Sequence, residues 1–297
     1  MTEQQVDRVE LAAGDAKATI ALRGAEPVSW RIGERELLWR GDPAHWSYHA
    51  PILFPLVGAS KGGVIRVGGR DHPMPQHGFA RTSTFGLEDR TEASARLLLL
   101  DSRETLAAYP YRFALEVTVT LTPASLVQVF KVTNRGEDIM AYALGVHPAF
   151  PWPLDGDDKA GHRVVFDKPE EPAVPEIADG GLLARKTRPA PLQDNVLPLS
   201  PDIFVEALVF LDAQSHDFAF TAPSGASIRL SAEDLPHLAV WSKPDAPFLS
   251  LEAWSGHADW EDASGKLSDR ASMIFLKPGE TFAHRVQMAW TPPRPPK

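Results

Sequence analysis

Apolar and polar residues alternate with a period of two in several segments of this chain. In residues 115–122 (LEVTVTLT), apolar side chains take every second position and β-branched residues abound. Val286, Met288 and Trp290 stand at alternate positions in the same way. Such alternation is typical of strands with one face buried and one face in solvent.

Shorter segments repeat this pattern between Pro- and Gly-containing turns. The further predicted strands are residues 163–166, 217–221, 227–230, 238–241 and 272–276. Turn sequences NRG at 134–136, PSG at 223–225 and KPG at 277–279 separate strand segments. No long amphipathic helix is evident in the sequence, and 27 prolines and 21 glycines suit loops between strands. We therefore predict an all-β, antiparallel sandwich.

The whole chain, residues 1–297, is predicted to form a single domain, because all-β sandwiches often exceed two hundred residues as one unit. The segment 168–201 is rich in proline and charge, and it is predicted to run over the surface as a long loop. The proline-rich tail, residues 291–297, is predicted to be a frayed terminus.

Composition excludes several classes of function. A net charge of -9 with scattered basic residues argues against nucleic-acid binding, which needs a basic stripe. The absence of cysteine excludes disulfides and thiolate metal sites. The densest apolar run, 97–100, is far shorter than a membrane span, and residues 1–6 lack the features of a secretion signal. We expect a cytoplasmic monomer or homodimer that binds neither nucleic acid nor membrane.

Two strand-like segments far apart in sequence carry a possible acid–base pair. In residues 248–254 (FLSLEAW), strand parity places Glu252 and Trp254 on one face and the aliphatic residues on the other. In residues 145–150 (GVHPAF), His147 shares its face with Ala143 and Gly145, and these small neighbours predict open volume beside the imidazole. By parity alone, each residue also fits a structural or solvated role.

A third histidine, His77, lies in the glycine-containing loop 76–81 (QHGFAR), together with Arg81. As structural alternatives, His77 could be a loop residue and Arg81 could pair with a surface carboxylate. The ten histidines show no metal-ligand spacing, and nucleotide-binding glycine patterns are absent from the sequence. The sequence therefore predicts no metal and no cofactor.

Six segments in one order resemble the aldose 1-epimerase (galactose mutarotase-like) superfamily, and within it the branch of lactose-operon-type mutarotase homologues. The segments are residues 51–58 (PILFPLVG), 74–81 (MPQHGFAR), 145–150 (GVHPAF), 207–210 (ALVF), 234–244 (DLPHLAVWSKP) and 251–254 (LEAW). The resemblance covers most of the chain. It implies an antiparallel β-supersandwich of the galactose mutarotase-like type, with a shallow sugar cleft on one sheet.

The resemblance also implies roles for individual residues. His147 matches the general acid of the family, Glu252 its general base, and His77 a second histidine that contacts the sugar near the ring oxygen. Trp254 and Trp241 are the aromatic residues expected to bind the sugar, since apolar ring faces stack on carbohydrate.

The sequence departs from the family pattern at two positions. An aspartate that binds sugar hydroxyls is matched here by Glu206, with Asp212 as the rival candidate. A substrate-binding arginine expected after residue 58 is absent, so Lys61 or Arg81 would replace it, or the contact is lost. Lysine lacks the two-pronged geometry of a guanidinium.

The predicted activity is interconversion of the α and β anomers of an aldose through acid–base opening and closure of the ring, with a small-molecule sugar as the partner. One alternative is a hexose-6-phosphate 1-epimerase, for which Arg81 would bind the phosphate. Another is a non-catalytic carbohydrate-binding protein with the same fold. A glycoside hydrolase is a weaker alternative, because it needs two carboxylates and only Glu252 is placed by a motif.

Overall fold

The computed structural model describes residues 7–156 and 158–295, in which strands dominate. The strands are β1 Arg8–Ala13, β2 Ala16–Ala21, β3 Glu26–Ile32, β4 Arg35–Glu36, β5 Ile52–Leu53, β6 Val64–Val67, β7 Arg70–Pro73, β8 Gly86–Arg90, β9 Ser94–Leu100, β10 Phe113–Leu121, β11 Ser125–Asn134, β12 Met140–Tyr142, β13 Gly145–Val146, β14 Ala149–Pro151, β15 Arg163–Phe166, β16 Ala173–Ala178, β17 Leu182–Pro189, β18 Val196–Pro198, β19 Leu208–Phe210, β20 Asp217–Thr221, β21 Ser227–Glu233, β22 His237–Trp241, β23 Phe248–Trp254, β24 Ile274–Leu276 and β25 Thr281–Thr291.

Helices are short. One α-helix, α1 Arg103–Ala108, begins with a capping box in which the Ser102 side chain and Thr105 satisfy each other's backbone donors. The remaining helical turns are 3₁₀ segments at Lys61–Gly63, Ala80–Thr82, Asp179–Gly181, Pro201–Ile203 and Leu267–Asp269. Among residues 7–156 and 158–295, no helix has the length and apolar character needed to cross a bilayer.

Two large antiparallel sheets form the body of the molecule. Nine strands pair in the order β18-β15-β20-β21-β25-β11-β10-β9-β8, and six form a second sheet in which β19-β22-β23-β13-β5 are neighbours and β14 also pairs with β23. A four-stranded sheet, β1-β2-β3-β4, and the pairs β12-β24, β16-β17 and β6-β7 complete the architecture. The predicted all-β, antiparallel sandwich is confirmed.

The sequence periodicity is reproduced in the burial of individual strands. Along β10 every second residue is buried, from Phe113 to Leu121, and these side chains join the main core. The predicted strands at 163–166 and 217–221 have the observed bounds of β15 and β20. Strand β23 is buried along its whole length, because one face packs into the core and the other faces a cavity.

The prediction for residues 168–201 is wrong in part. Instead of one long loop, this segment contains the hairpin β16–β17 and the edge strand β18. Its prolines are tolerated because Pro175 and Pro189 lie on an isolated two-stranded ribbon, where missing donors cost little. The hairpin is joined to the body by backbone hydrogen bonds between Leu183 and residues 259 and 261.

The expectations for the two ends fall partly outside the described residues. Residues 1–6 and residues 296–297 are not described, so the predicted fraying at 296–297 lies beyond the structure. Before that point the tail is still attached: β25 extends to Thr291, and the Arg294 backbone N–H donates to the Ser224 carbonyl at 3.0 Å.

Candidate active site

A cavity of about 500 Å³ lies against the face of the six-stranded sheet that is turned away from the main core. The period-two geometry of β23 creates this arrangement: Leu249, Leu251 and Ala253 enter the core, whereas Glu252 and Trp254 line the cavity. Its volume lies within the range of roughly 300–1,000 Å³ typical of small-molecule sites.

His147 and Glu252 meet in this cavity, although 105 positions separate them in sequence. Pairing of β13 with β23 brings their strands together, with Val146 opposite Ala253. His147 Nε2 lies 3.2 Å from Glu252 Oε1. Both residues are buried, with exposed fractions of 7% and 2%. An imidazole and a carboxylate at this distance can exchange a proton with each other and with a ligand between the cavity walls.

The other imidazole nitrogen of His147 contacts a buried serine. His147 Nδ1 lies 2.8 Å from Ser250 Oγ, and the same hydroxyl donates to the Pro148 carbonyl, also at 2.8 Å. Ser250 and Glu252 are two positions apart on β23 and therefore share a face. One strand thus contacts the imidazole at both of its nitrogens.

Burial shifts the two titrating groups in opposite directions. Desolvation raises the pKa of Glu252 well above its usual value, and the nearby indole N–H of Trp254, which makes no regular hydrogen bond to the carboxylate, opposes this only in part. Desolvation lowers the pKa of His147 well below its usual value, with a further lowering from His77. Both shifts disfavour isolated charges, so the pair retains one proton in total, whether as two neutral groups or as an ion pair.

His77 is held beside this pair by loop 55–58. The Gly58 backbone N–H donates to His77 Nδ1 at 3.1 Å, and the His77 backbone N–H donates to the Gly58 carbonyl at 2.9 Å. Burial, with Arg81 and Arg270 nearby, lowers the pKa of His77 to about 3. The ring is therefore neutral, and since Nδ1 accepts, its hydrogen lies on Nε2. His77 also lines the cavity.

The conformation of the His77 loop depends on Gly78. His77 and Gly78 both have positive φ values, 66° and 70°. A β-carbon at position 78 would lie 2.2 Å from the Phe54 carbonyl oxygen. The loop can approach β5 this closely only because residue 78 has no side chain.

Three tryptophans form the walls beside the imidazole. Trp46 stacks on His147 with ring centroids 4.7 Å apart, and Trp241 meets it edge-on at 5.4 Å. Trp254 lines the floor, and its indole Nε1 is buried without a hydrogen-bond partner among the described residues. Trp241 and Trp254 were predicted at the site from the sequence, whereas Trp46 was missed because it lies in a loop without periodic pattern.

The cavity does lie beside His147, but the small residue at position 145 does not create it, contrary to the prediction from the sequence. A β-carbon at Gly145 would lie 2.6 Å from Cδ1 of Trp254 and 3.1 Å from a methyl group of Val57. The missing side chain at position 145 makes room for the indole. The small residue therefore positions a wall of the cavity and does not itself create the empty space.

Polar side chains of both signs line the rest of the cavity. Arg81 donates to the Gln76 carbonyl at 2.8 Å and lies over the ring of Tyr48, but it forms no ion pair with a carboxylate in the described parts of the chain. Lys243 also lines the cavity and was not anticipated. Glu206 accepts a hydrogen bond from the Ile177 backbone at 3.0 Å and lies 3.6 Å from Arg188.

Two sequence candidates lie away from the cavity. Asp212 is an exposed residue with a positive φ in the turn after β19, where it neighbours His237 at 3.8 Å. Lys61 is exposed at the start of a 3₁₀ turn, and only its backbone N–H is anchored, by Asp259 at 2.9 Å. Neither lines the cavity, so of the sequence candidates for the hydroxyl-binding acid and the substitute cation, Glu206 and Arg81 are the two that do.

A buried arginine, Arg270, anchors loop 55–58, which holds His77. Arg270 donates to the carbonyls of Val57 and His257 at 2.7 and 2.8 Å, and to Ser60 Oγ at 2.9 Å. It pairs with Asp259 at 3.3 Å, and both side chains are more than nine-tenths buried. Neither motif nor spacing marked Arg270 in the sequence, because the loop groups that it holds, at Ser60 and Val57, lie 210 and 213 positions away.

Within residues 7–156 and 158–295, no three His, Asp or Glu side chains are grouped as metal ligands would be. The groups gathered in the cavity are instead a proton-sharing pair, a neutral histidine donor, aromatic walls and hydrogen-bonding side chains of both charges. This set can bind a polyhydroxylated ring and move protons at its edge.

Comparison with known proteins shows that most of this chain matches proteins of one family. The family model described as aldose 1-epimerase matches residues 7–289. The chromosomal Protein LacX of Lactococcus lactis subsp. lactis is 32% identical over 259 residues, which cover 83% of this chain and 86% of that protein. The plasmid form of Protein LacX from the same organism matches over the same shares at the same identity.

Solved structures agree with this relationship. A galactose mutarotase-like protein from Lactobacillus casei is 28% identical, with a TM-score of 0.87 over 96% of this chain and 100% of that one. A galactose mutarotase related enzyme from Lactobacillus acidophilus is 28% identical, with a TM-score of 0.88 over 97% of this chain and 98% of that one. The predicted galactose mutarotase-like fold is confirmed.

Proposed function

The chain belongs to the aldose 1-epimerase family, and from that premise we propose that it interconverts the α and β anomers of an aldose by acid–base catalysis. The observation that carries the proposal is the 3.2 Å contact between His147 Nε2 and Glu252 Oε1 inside the cavity. Aromatic walls and hydrogen-bonding groups around the pair suit a sugar ring.

In the proposed reaction, the carboxylate of Glu252 accepts the proton of the C1 hydroxyl while His147 Nε2–H protonates the ring oxygen. The C1–O5 bond breaks, leaving an aldehyde at C1 and a hydroxyl at C5. Rotation about C1–C2 presents the other carbonyl face. The proton transfers then reverse, so Glu252 protonates the carbonyl oxygen and His147 takes back the hydroxyl proton as the bond re-forms.

The shared proton of the pair supplies the charge states that this reaction needs. Glu252 Oε2 has no hydrogen-bond partner among the described residues, which leaves it free to accept from a sugar hydroxyl. Such a hydrogen bond favours the ionised carboxylate and lowers the pKa of Glu252 from the raised value that burial gives it. The proton between the two groups then resides on His147, ready for transfer to the ring oxygen. No proton enters from solvent.

Anomer exchange measured by NMR saturation transfer on freshly dissolved aldoses tests the proposal. Glu252→Gln and His147→Asn should each lower the rate by about 10² to 10⁴, the usual contribution of a general acid or base. Glu88→Gln, an exposed change of the same type on β8, is the matched control and should leave the rate unchanged. Wild-type activity in Glu252→Gln would refute the assignment.

A sugar-binding protein without catalysis would give a different result. In that case wild-type protein would bind aldoses saturably in calorimetry and leave the rate of anomer exchange at its solution value. The matched acid and base favour an enzyme, since binding alone does not require two groups that share a proton.

A second candidate is a hexose-6-phosphate 1-epimerase, favoured by the two cations that line the cavity, Arg81 and Lys243. Arg81 has no carboxylate partner in the described residues and could therefore receive a phosphate. In that case Arg81→Ala should raise KM for a hexose 6-phosphate far more than for the free hexose, and added salt should weaken only the phosphorylated substrate. Equal effects on both sugars would exclude this alternative.

A further inference from the structure

Ser250 touches His147 at the nitrogen that faces away from Glu252. We propose that Ser250 is a positioning residue, which holds the imidazole of His147 with a hydrogen on Nδ1 and so leaves Nε2 as the atom that exchanges protons with Glu252 and the substrate. This role rests on the epimerase function proposed above. The hydrogen-bond assignment itself does not depend on it.

Ser250 has one hydroxyl hydrogen and two close polar neighbours. Ser250 Oγ has 2.8 Å contacts with the Pro148 carbonyl oxygen and with His147 Nδ1. A hydroxyl has one hydrogen, and a carbonyl oxygen can only accept. If the hydroxyl donates to Pro148, the second contact is a hydrogen bond only when Nδ1–H donates to Oγ. Both short contacts are therefore satisfied in one tautomer of His147.

The opposite arrangement leaves either a charge or a buried donor unpaired. There the hydroxyl would donate to Nδ1, and Nε2–H would donate to Glu252, which is either ionised or protonated on Oε2. If Glu252 is ionised, the site holds a net negative charge on a carboxylate that is 2% exposed. If Oε2 carries the proton, this hydrogen has no acceptor among the described residues. Burying an unpaired charge is strongly unfavourable. The neutral pair with Nδ1–H avoids this cost.

The position of Ser250 on β23 is fixed by the neighbouring strands, so its hydroxyl is held beside His147 Nδ1. Its neighbours Trp241 on β22 and Ala149 on β14 pair with it on either side, so its backbone is fixed by two strands. Its side chain is fully buried, which prevents water from replacing the serine as the partner of Nδ1. The hydrogen bond made by one ring nitrogen determines whether the other nitrogen carries a hydrogen.

Nitrogen-15 NMR of the histidine side chains in the intact protein tests the assignment, because the shifts of Nδ1 and Nε2 report which one bears hydrogen. The His147 signals are identified by their loss in His147→Asn. Neutral His147 should carry its hydrogen on Nδ1 in the wild type and should lose this preference in Ser250→Ala. A wild-type ring with its hydrogen on Nε2, or an unchanged tautomer in Ser250→Ala, would overturn the inference.

Kinetics test the consequence for catalysis. Ser250→Ala should lower kcat by about 10- to 100-fold, by analogy with loss of the hydrogen-bonding partner behind a metal-ligating histidine, with little change in KM. Ser250→Thr keeps the hydroxyl and should restore much of kcat. The matched control is Ser242→Ala, another buried serine, which donates to the Phe248 carbonyl at 2.7 Å and does not touch His147. It should retain both tautomer and rate.

The two proposals fail in different ways. If the wild type does not accelerate anomer exchange of any aldose, the proposed function is wrong, while the NMR result still decides which nitrogen Ser250 controls. If the wild type is active and Ser250→Ala has wild-type kcat, the positioning role is wrong although the epimerase function stands. Circular dichroism of each variant shows that a lost signal does not come from unfolding.

Discussion

Replacing Arg270 by methionine is expected to destabilise the protein by about 3–5 kcal/mol. Removing one partner of a buried ion pair leaves the other as an uncompensated charge, and losses of this size are typical. Here the remaining charge would be Asp259, which is 6% exposed and only partly compensated by the Lys61 backbone N–H. Against a typical total stability of about 5–15 kcal/mol, this is a large fraction.

Equilibrium urea unfolding, with the slope checked for two-state behaviour, measures this loss. Arg285→Met is the matched control, because Arg285 pairs with Glu233 at a similar distance, 3.2 Å, at the surface. Exposed pairs contribute about 0–1 kcal/mol. Adding Asp259→Asn to Arg270→Met removes the stranded carboxylate, so the double variant should lose less than the sum of the two single changes.

A loss below about 1 kcal/mol for Arg270→Met, or additivity of the two changes within about 0.3–0.5 kcal/mol, would show that Arg270 does not compensate the Asp259 charge. Activity should fall as well, even where the variant remains folded. Arg270 holds the carbonyl of Val57 at 2.7 Å, and the next residue, Gly58, donates to His77. Loosening this loop releases His77 from the cavity.

Two further predictions concern the pair and its neighbouring loop. Because burial raises the pKa of Glu252 above its ordinary value and lowers that of His147 below its ordinary value, the pair should keep a single proton at pH values between the two shifted pKa values. His77 lies beside the pair and has a pKa of about 3, so it is neutral near pH 6.5. The pH profile of kcat/KM should therefore show no break at 6.5, the ordinary value of a histidine, and a break there would contradict the assignment. Gly78→Ala should cost about 2–5 kcal/mol in urea unfolding, from roughly 1–2 for the left-handed backbone and roughly 1–3 for overpacking against the Phe54 carbonyl; a wild-type midpoint would disprove the close approach.

Local patterns in the sequence were sufficient to predict several of the strands and the facing of side chains along them. The alternation in residues 115–122 and the parity of residues 248–254 depend only on the pleat of a strand, and the structure reproduces both. The partnership of His147 and Glu252 came from resemblance, because no local pattern reports which distant strands pair.

What could not be predicted depends on contacts between distant segments. The hairpin β16–β17 was missed because its prolines and charges resemble those of a loop, and its attachment to distant segments, at Leu183 and at Glu206, makes it a wall of the site. Gly145 was misinterpreted because the sequence does not reveal that an indole fills the space beside it. Trp46 reaches His147 from a loop without periodicity, where only its aromatic character could have signalled a role.

Because Ser250 and Glu252 lie on one strand, catalysis depends on the register of β23 as well as on the identity of its residues. If β23 shifted by a single residue against β22 and β14, the hydroxyl and the carboxyl would both turn into the apolar interior, and leucines would face the imidazole instead. An insertion or deletion within β23 should thus abolish activity and also destabilise the sandwich, because it places polar groups in the main core. Changes confined to the β16–β17 hairpin would instead alter which ligand fits and leave the proton exchange in place.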